Sequence, residues 1–183
     1  MIRIFIVEPM TGELLTAKEW KEKAGKDVKN AEHIVIVPED GTPAFMIPKK
    51  TLGEFPWKEA KKKVAEELFR LEGEEVPESR GGLPTRKQFI DIRDARSCGL
   101  EQVLELIGGD QLLKNLRNGE WFWTSEVWIP AGTSAEDWSS SRYDAYYAWF
   151  SYGSFGYANY GNYVGNTNLA LPLLLYDFRE ANV

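Results

Sequence analysis

The chain has 183 residues, 43% hydrophobic and 27% charged, with a formal net charge of −6. That length and balance describe a folded domain with a real core and exclude wholesale disorder. A single cysteine, Cys98, excludes an intramolecular disulfide, and no apolar run approaches a membrane span.

Taken in order, Ile2–Val7 alternates apolar and polar residues and predicts a short strand. It has no basic n-region and its apolar run is too short for a signal peptide, so a chain kept soluble in the cytoplasm, or leaving the cell by a route other than the general secretory one, is expected. Thr16 and Glu19 form a capping-box pattern that opens a helix over Ala17–Lys23, stopped by Gly25. His33–Val37 and Ala44–Ile47, joined by Pro38-Glu-Asp-Gly-Thr-Pro43, predict a hairpin. His33 is the only histidine and has no second ligand at metal-binding spacing, so it reads as a surface or strand-end residue.

Trp57–Leu71 is an amphipathic helix pattern, with Trp57, Ala60, Val64, Leu68 and Leu71 recurring every three or four residues and Gly73 ending it. Residues 73–82 read as a polar loop. Thr85 and Gln88 form a second capping box opening a helix through Phe89 and Ile90. Leu100–Ile107 and Gln111–Leu116 are two shorter helical pieces. Beyond them Trp121–Glu126 and Ala145–Phe150 predict strands around a Ser-rich loop, Ala131–Ser141. Short Gly-punctuated strands follow. A last apolar strand, Leu169–Tyr176, carries Pro172, which predicts an edge position or a bulge. The order implies an α+β fold with helices packed on a mostly antiparallel sheet.

The segment Tyr143–Asn168 stands apart. It holds seven of the eight tyrosines, and no Asp, Glu, Lys, Arg or His occurs from Ala145 through Tyr176. Alternating polar and aromatic residues suit an aggregating tract, yet Tyr with Ser, Gly and Asn is also the composition of a binding surface. Strand patterns bracket the segment on both sides, which favours an ordered surface. Trp121, Trp123 and Trp149 are assigned to core, with Tyr146 facing inward beside them. Residues 118–183 carry only Arg142 and Arg179 against seven acids. Stacked bases need a positive groove, so nucleic acid is not an expected partner. No catalytic constellation, cofactor motif or metal-ligand spacing is present: Gly153, Gly156 and Gly161 lack a βαβ context, and the adjacent Glu136 and Asp137 read as a solvated rim.

Four segments in this order resemble the DUF1566 family: Leu83-Pro-Thr-Arg-Lys-Gln-Phe89, Phe122-Trp-Thr-Ser-Glu126, Ala148-Trp149 and Leu171-Pro-Leu173. That family comprises bacterial and phage domains with a C-type-lectin-like fold, akin to the formylglycine-generating-enzyme branch. The resemblance covers about residues 31–178. It implies a lectin-like ligand-binding domain over 31–183 with two main helices, preceded by a strand-helix extension over 1–30.

Some members are variable proteins of diversity-generating retroelements, in which adenine-directed copying converts Asn codons to Tyr, Ser, Asp, Gly or Phe. Phe150, Tyr152, Phe155, Tyr157, Asn159, Tyr160, Gly161 and Asn162 fall where such proteins carry diversified positions. The expected ligand-binding set is Tyr143, Asp144, Tyr147, Phe150, Tyr152, Phe155, Tyr157, Asn159, Tyr160, Asn162, Tyr163 and Asn166. What the resemblance implies is a non-enzymatic receptor-binding protein, such as a phage tail protein or surface adhesin, whose partner is a protein or glycan on a cell surface. A non-diversified structural or glycan-binding domain of the same fold is the alternative, and an oligomer is left open.

The chain departs from the family at several points. Gly81-Gly82 stand where Trp-Arg is usual, the Phe122 segment is one residue short, and Leu169–Leu174 lacks the usual Arg. The calcium-binding tripeptides of true C-type lectins and the paired cysteines of formylglycine-generating enzymes are absent. Neither chemistry is therefore implied.

Overall fold

The computed structural model describes residues 1–109, 120–128, 144–151, 154–163 and 167–177, with the backbone alone for 120, 127–128, 144–151 and 154–163. The fold is α+β, with four α-helices and two sheets among the described residues. The first sheet holds β1 (Arg3–Val7), β2 (Leu14–Leu15), β3 (His33–Val37), β4 (Phe45–Pro48), β6 (Gly81–Gly82) and β11 (Leu173–Leu175), in the order β2-β1-β3-β4-β11-β6. All its pairings are antiparallel. The second holds β5 (Glu54–Phe55), β7 (Glu120–Trp128), β8 (Asp144–Ser151), β9 (Ser154–Tyr163) and β10 (Asn168–Leu169), in the order β5-β10-β7-β8-β9. Here β10 runs parallel to β7 and the other pairings are antiparallel.

Helix boundaries follow the sequence signals closely. α1 (Ala17–Ala24) and α3 (Arg86–Ala95) each open on a formed capping box, Thr16 with Glu19 and Thr85 with Gln88. Each box satisfies two N–H groups that a helix start leaves without intrahelical partners. α2 (Trp57–Glu72) buries Ala60, Val64 and Leu68 on its apolar stripe and ends at Gly73, whose left-handed φ of 74° costs glycine little. α4 (Leu100–Leu106) buries Leu100, Val103 and Leu104.

Two apolar clusters hold these layers together. The larger gathers Ile6, Ile34, Ile36, Phe45 and Trp20 with Phe89, Ile92, Leu100 and Ile107, packing the first sheet against α1, α3 and α4. Ile2, Ile6, Leu15 and Trp20 belong to it, and β1 pairs directly with β3, so residues from the first thirty share this sheet and core. The smaller cluster packs Ala60, Val64 and Leu68 of α2 against Trp123, Ala170 and Leu174.

β7 is the wall between the two. Phe122 belongs to the larger cluster, its ring centroid 5.5 Å from that of Phe89, while Trp123 belongs to the smaller. Successive strand residues point to opposite faces, and here both faces are covered. That double covering explains why Phe122 and Trp123 are both buried and why the strand shows no alternation.

Several expectations change. The apolar run Leu169–Tyr176 is not one strand: β10 lies in the second sheet and β11 in the first, with Ala170 and Leu171 buried between them. Pro172 sits in that crossing rather than at an edge or bulge, where its missing N–H deprives neither ladder of a donor. Gly81-Gly82, expected in a loop, form β6 against β11. A Cβ on Gly81 would lie 2.8 Å from the Leu173 carbonyl oxygen, so the pairing requires glycine. The short Gly-punctuated strands are one ten-residue strand, β9. The expected helix Gln111–Leu116 and loop Ala131–Ser141 lie outside the described residues.

Candidate ligand-binding sheet

The second sheet carries most of the expected ligand-binding positions on one hairpin arm. Asp144, Tyr147 and Phe150 lie in β8; Phe155, Tyr157, Asn159, Tyr160, Asn162 and Tyr163 lie in β9, the outermost strand of this sheet among the described residues. Tyr143, Tyr152 and Asn166 lie outside the described residues.

Backbone register sorts the arm into rows. Glu120, Phe150 and Phe155 stand in one row, Trp121, Trp149 and Gly156 in the next, and Phe122, Ala148 and Tyr157 in the third. Trp123 pairs with Tyr147. At the far end, Trp128, Asp144 and Tyr163 form a row beside that of Val127, Ala145 and Asn162. The expected positions are thus distributed over several rows of the arm: Asp144, Tyr147 and Phe150 pair directly with β7, and those of β9 lie one strand further out.

A register shift flanks β8 on each side. On the β7 side Thr124, Ser125 and Glu126 stand opposite Tyr146 alone, because Trp123 pairs with Tyr147 and Val127 with Ala145. On the β9 side Ala158, Asn159 and Tyr160 stand opposite Tyr147 alone. Bulges free backbone groups from the ladder and re-aim residues. In β7 the freed groups have partners: the Ser125 N–H donates to the Pro84 carbonyl at 2.9 Å. The Glu126 carboxylate accepts from the backbone N–H and the Nε of Arg86, each at 2.9 Å. The Leu-Pro-Thr-Arg segment is therefore clamped onto the Thr-Ser-Glu bulge, joining the start of α3 to β7.

α2 is clamped to the same strand from the other face. The Trp57 indole N–H donates to the Thr124 carbonyl at 2.9 Å, and the Trp123 indole N–H donates to the Phe55 carbonyl at 2.7 Å. These reciprocal bonds satisfy both indoles at the start of the helix, as partly apolar rings with one polar edge require. The segments singled out in the sequence converge here as scaffold: they fix β7, and β7 carries the β8–β9 arm.

The three tryptophans assigned to core divide. Trp123 is fully buried, but Trp121 is 42% exposed and is a correction to that assignment. Alternation puts both on one face of β7; the α2 cluster covers Trp123 and does not include Trp121. The side chains of Trp149 and Tyr146 lie outside the description. Sequence periodicity could not have separated Trp121 from Trp123, since both have the same parity and only the placement of α2 distinguishes them.

Elsewhere, charged groups serve structure. Lys87 bridges Asp91 on its own helix and Asp40 in the β3–β4 turn. Its hydrogen bonds, with those from Thr42, hold the Asp40 carboxyl far below the usual range, whereas burial pushes Asp91 up. No group of three His, Cys, Asp or Glu side chains among the described residues could hold a metal ion.

His33 opens β3, as its strand-end reading expected, but its Nε2 is buried and has no hydrogen-bond partner. Burial pushes its pKa below the ordinary value, outweighing the attraction of Glu32 and Glu67. The unfolded chain takes up a proton near pH 6.5 that the folded chain resists. Stability contributed by neutral His33 is therefore fully present above about pH 6.5 and falls as pH drops through that value. His33→Phe should flatten this part of the profile, read as the change in urea midpoint between pH 7.5 and 5.5. An unchanged slope would show that His33 is not responsible.

No family model, curated protein or solved structure matches the chain. No helix among the described residues is long and apolar enough to cross a membrane.

Proposed function

We propose that this protein is a non-enzymatic ligand-binding protein with a C-type-lectin-like fold, whose β8–β9 arm forms a Tyr-, Asn-, Gly- and Ser-rich receptor-binding face. The observation that carries the reading is the arm itself. A charge-free, tyrosine-dense stretch lies on the two outer described strands of a sheet whose supporting strand is locked from both faces. Rigid aromatic contact area on a fixed scaffold is what a paratope needs, because few rotamers are lost on binding. In this reading the arm is diversified by a retroelement, and the partner is a protein or glycan displayed on a cell surface. A phage tail or surface adhesin is its setting.

Replacing Tyr152, Tyr157 and Tyr160 together with Ser should abolish binding of the fluorescently labelled protein to a panel of bacterial cells and to an array of immobilised glycans. The thermal midpoint should stay within a few degrees of the parent, since surface substitutions cost about 0.5 kcal/mol or less each. Cooperative unfolding at a much lower temperature would place these tyrosines in the core and sink the proposal. Diversification has its own test: a near-repeat of the codons for this segment, differing at adenines, beside a reverse transcriptase gene.

A non-diversified glycan-binding domain of the same fold is favoured by one observation, the exposed ring of Trp121 in register with Trp149 and Gly156. An exposed indole suits stacking on the apolar face of a sugar ring. Under that reading Trp121→Ala alone removes array binding while the triple Tyr variant retains it.

A further inference from the structure

A cleft lined by none of the described β8–β9 residues reaches the supporting strand β7 at Ser125. Between α2 and the start of α3, over β6 and β11, it opens to a volume of about 360 Å³, within the range of small-molecule sites. Leu68, Val76 and Leu175 give it an apolar lining, and Lys61, Arg80 and the hydroxyl-bearing Ser79 and Ser125 also face it. The Gly81-Gly82 pair helps create it. Gly81 lets β6 close on β11, while a Cβ on Gly82 would meet nothing within 4 Å, so this wall is bare backbone beside open space.

The frame is held on three sides. The Leu175 N–H donates to the Arg80 carbonyl at 2.7 Å, the Ser125 N–H to the Pro84 carbonyl, and the Thr85 capping box fixes the start of α3. The charges are held less firmly. Lys61 lies 3.7 Å from Glu78 and 4.7 Å from the centroid of the Trp57 ring, and Arg80 lies 3.6 Å from Glu72, so neither cation has a carboxylate within hydrogen-bonding distance in these pairs. Among the described residues Glu78 is the one carboxylate lining the cleft, and its side chain is 92% exposed, so it competes weakly for the cations.

We propose that this cleft binds a small amphipathic anion, a carboxylate bearing an apolar chain or ring. The carboxylate pairs with the Arg80 guanidinium and the Lys61 ammonium, where charge-assisted and bidentate bonds outcompete the long ion pairs to Glu72 and Glu78. The apolar part lies on Leu68, Val76 and Leu175. This site is lined by none of the described β8–β9 residues and takes a small molecule rather than a cell-surface receptor.

The test titrates the full chain at pH 7 with phenylbutyrate and, separately, with phenylbutanol, following backbone amide shifts by NMR. Phenylbutyrate should give saturable shifts centred on residues 76–83 and 173–175, with the alcohol weaker by at least about fivefold, the worth of one screened charge contact. Arg80→Gln with Lys61→Gln should bring the acid down to the alcohol's affinity. Ala65→Trp, placed where α2 lines the cleft with an exposed residue, should block both probes. Equal affinity for acid and alcohol in the parent chain, shifts scattered elsewhere, no saturable shift at all, or undiminished binding in Ala65→Trp would each overturn the proposal.

Discussion

Trp123→Ala is expected to lower stability by about 3–5 kcal/mol, the cost of emptying a large aromatic site in a packed interior. The side chain is fully buried among Ala60, Val64, Leu68 and Ala170, and its indole supplies the donor for the Phe55 carbonyl. Truncation removes the apolar contact and strands that oxygen, which adds about 1–3 kcal/mol if no water replaces the indole N–H. Domains of this kind hold only about 5–15 kcal/mol in total, so the variant should be marginally folded. Trp121→Ala, two residues away on the same strand face, should cost no more than about 1 kcal/mol, because that ring is already 42% exposed. Urea unfolding followed by far-ultraviolet circular dichroism measures both. Equal losses at the two positions would mean that α2 does not cover one and spare the other. Trp123→Phe adds a finer reading: it keeps much of the apolar volume and removes the N–H, so a loss beyond that expected for the smaller ring reports the bond to Phe55.

This contrast also shows where sequence reasoning succeeds and where it stops. Local chemistry is legible: Thr16 with Glu19 and Thr85 with Gln88 form the capping boxes their spacing predicts, and the Ala60, Val64, Leu68 stripe is the buried face of α2. These features depend on residues within one helical turn or one periodic face. What depends on partners distant in sequence is not legible. Pro172 marks a chain crossing between two sheets because β4 and β6 flank β11 while β5 and β7 flank β10, and none of those neighbours is near in sequence. Gly81-Gly82 become a strand only because Leu173 and Leu174 present a ladder to them. For the candidate site, the strand carrying Tyr147 is legible from its pattern, whereas the ten-residue strand carrying Tyr157 reads only as short Gly-punctuated pieces. The bulges beside Tyr146 and Tyr147 are not legible, since a bulge is a relation between two strands. The clamp between Arg86 and Glu126 spans 40 positions, and no local pattern announces it.

Lys49 supplies the other large effect, and it is one that charge patterning hides. Its side chain is 8% exposed, and the ammonium donates to the Lys29 carbonyl at 2.6 Å and to the Ile107 carbonyl at 3.1 Å, with Glu32 at 3.4 Å. A single cation thus ties the residue after β4 to the segment following α1 and to the carbonyl at the end of α4. A positive charge at a helix C-terminus also complements the helix dipole there. Lys49→Met keeps the apolar stem and removes the donors, leaving two carbonyls to find water or go unpaired. An expected loss of about 2–4 kcal/mol follows from those orphaned acceptors. Glu32→Gln removes only the ionic partner, whose side chain is 63% exposed, and should cost less than about 1 kcal/mol. The pair of variants separates two accounts of the same lysine. If the carbonyl bonds dominate, Lys49→Met is severe in both low and high salt and Glu32→Gln is mild; if the ion pair dominates, the two losses match and shrink together as salt screens them. Hydrogen exchange sharpens the distinction, because loss of the tie should lower protection around residues 25–31 and 103–108 before the β3–β4 ladder is affected. Uniform loss of protection across the first sheet would instead assign Lys49 to global stability alone.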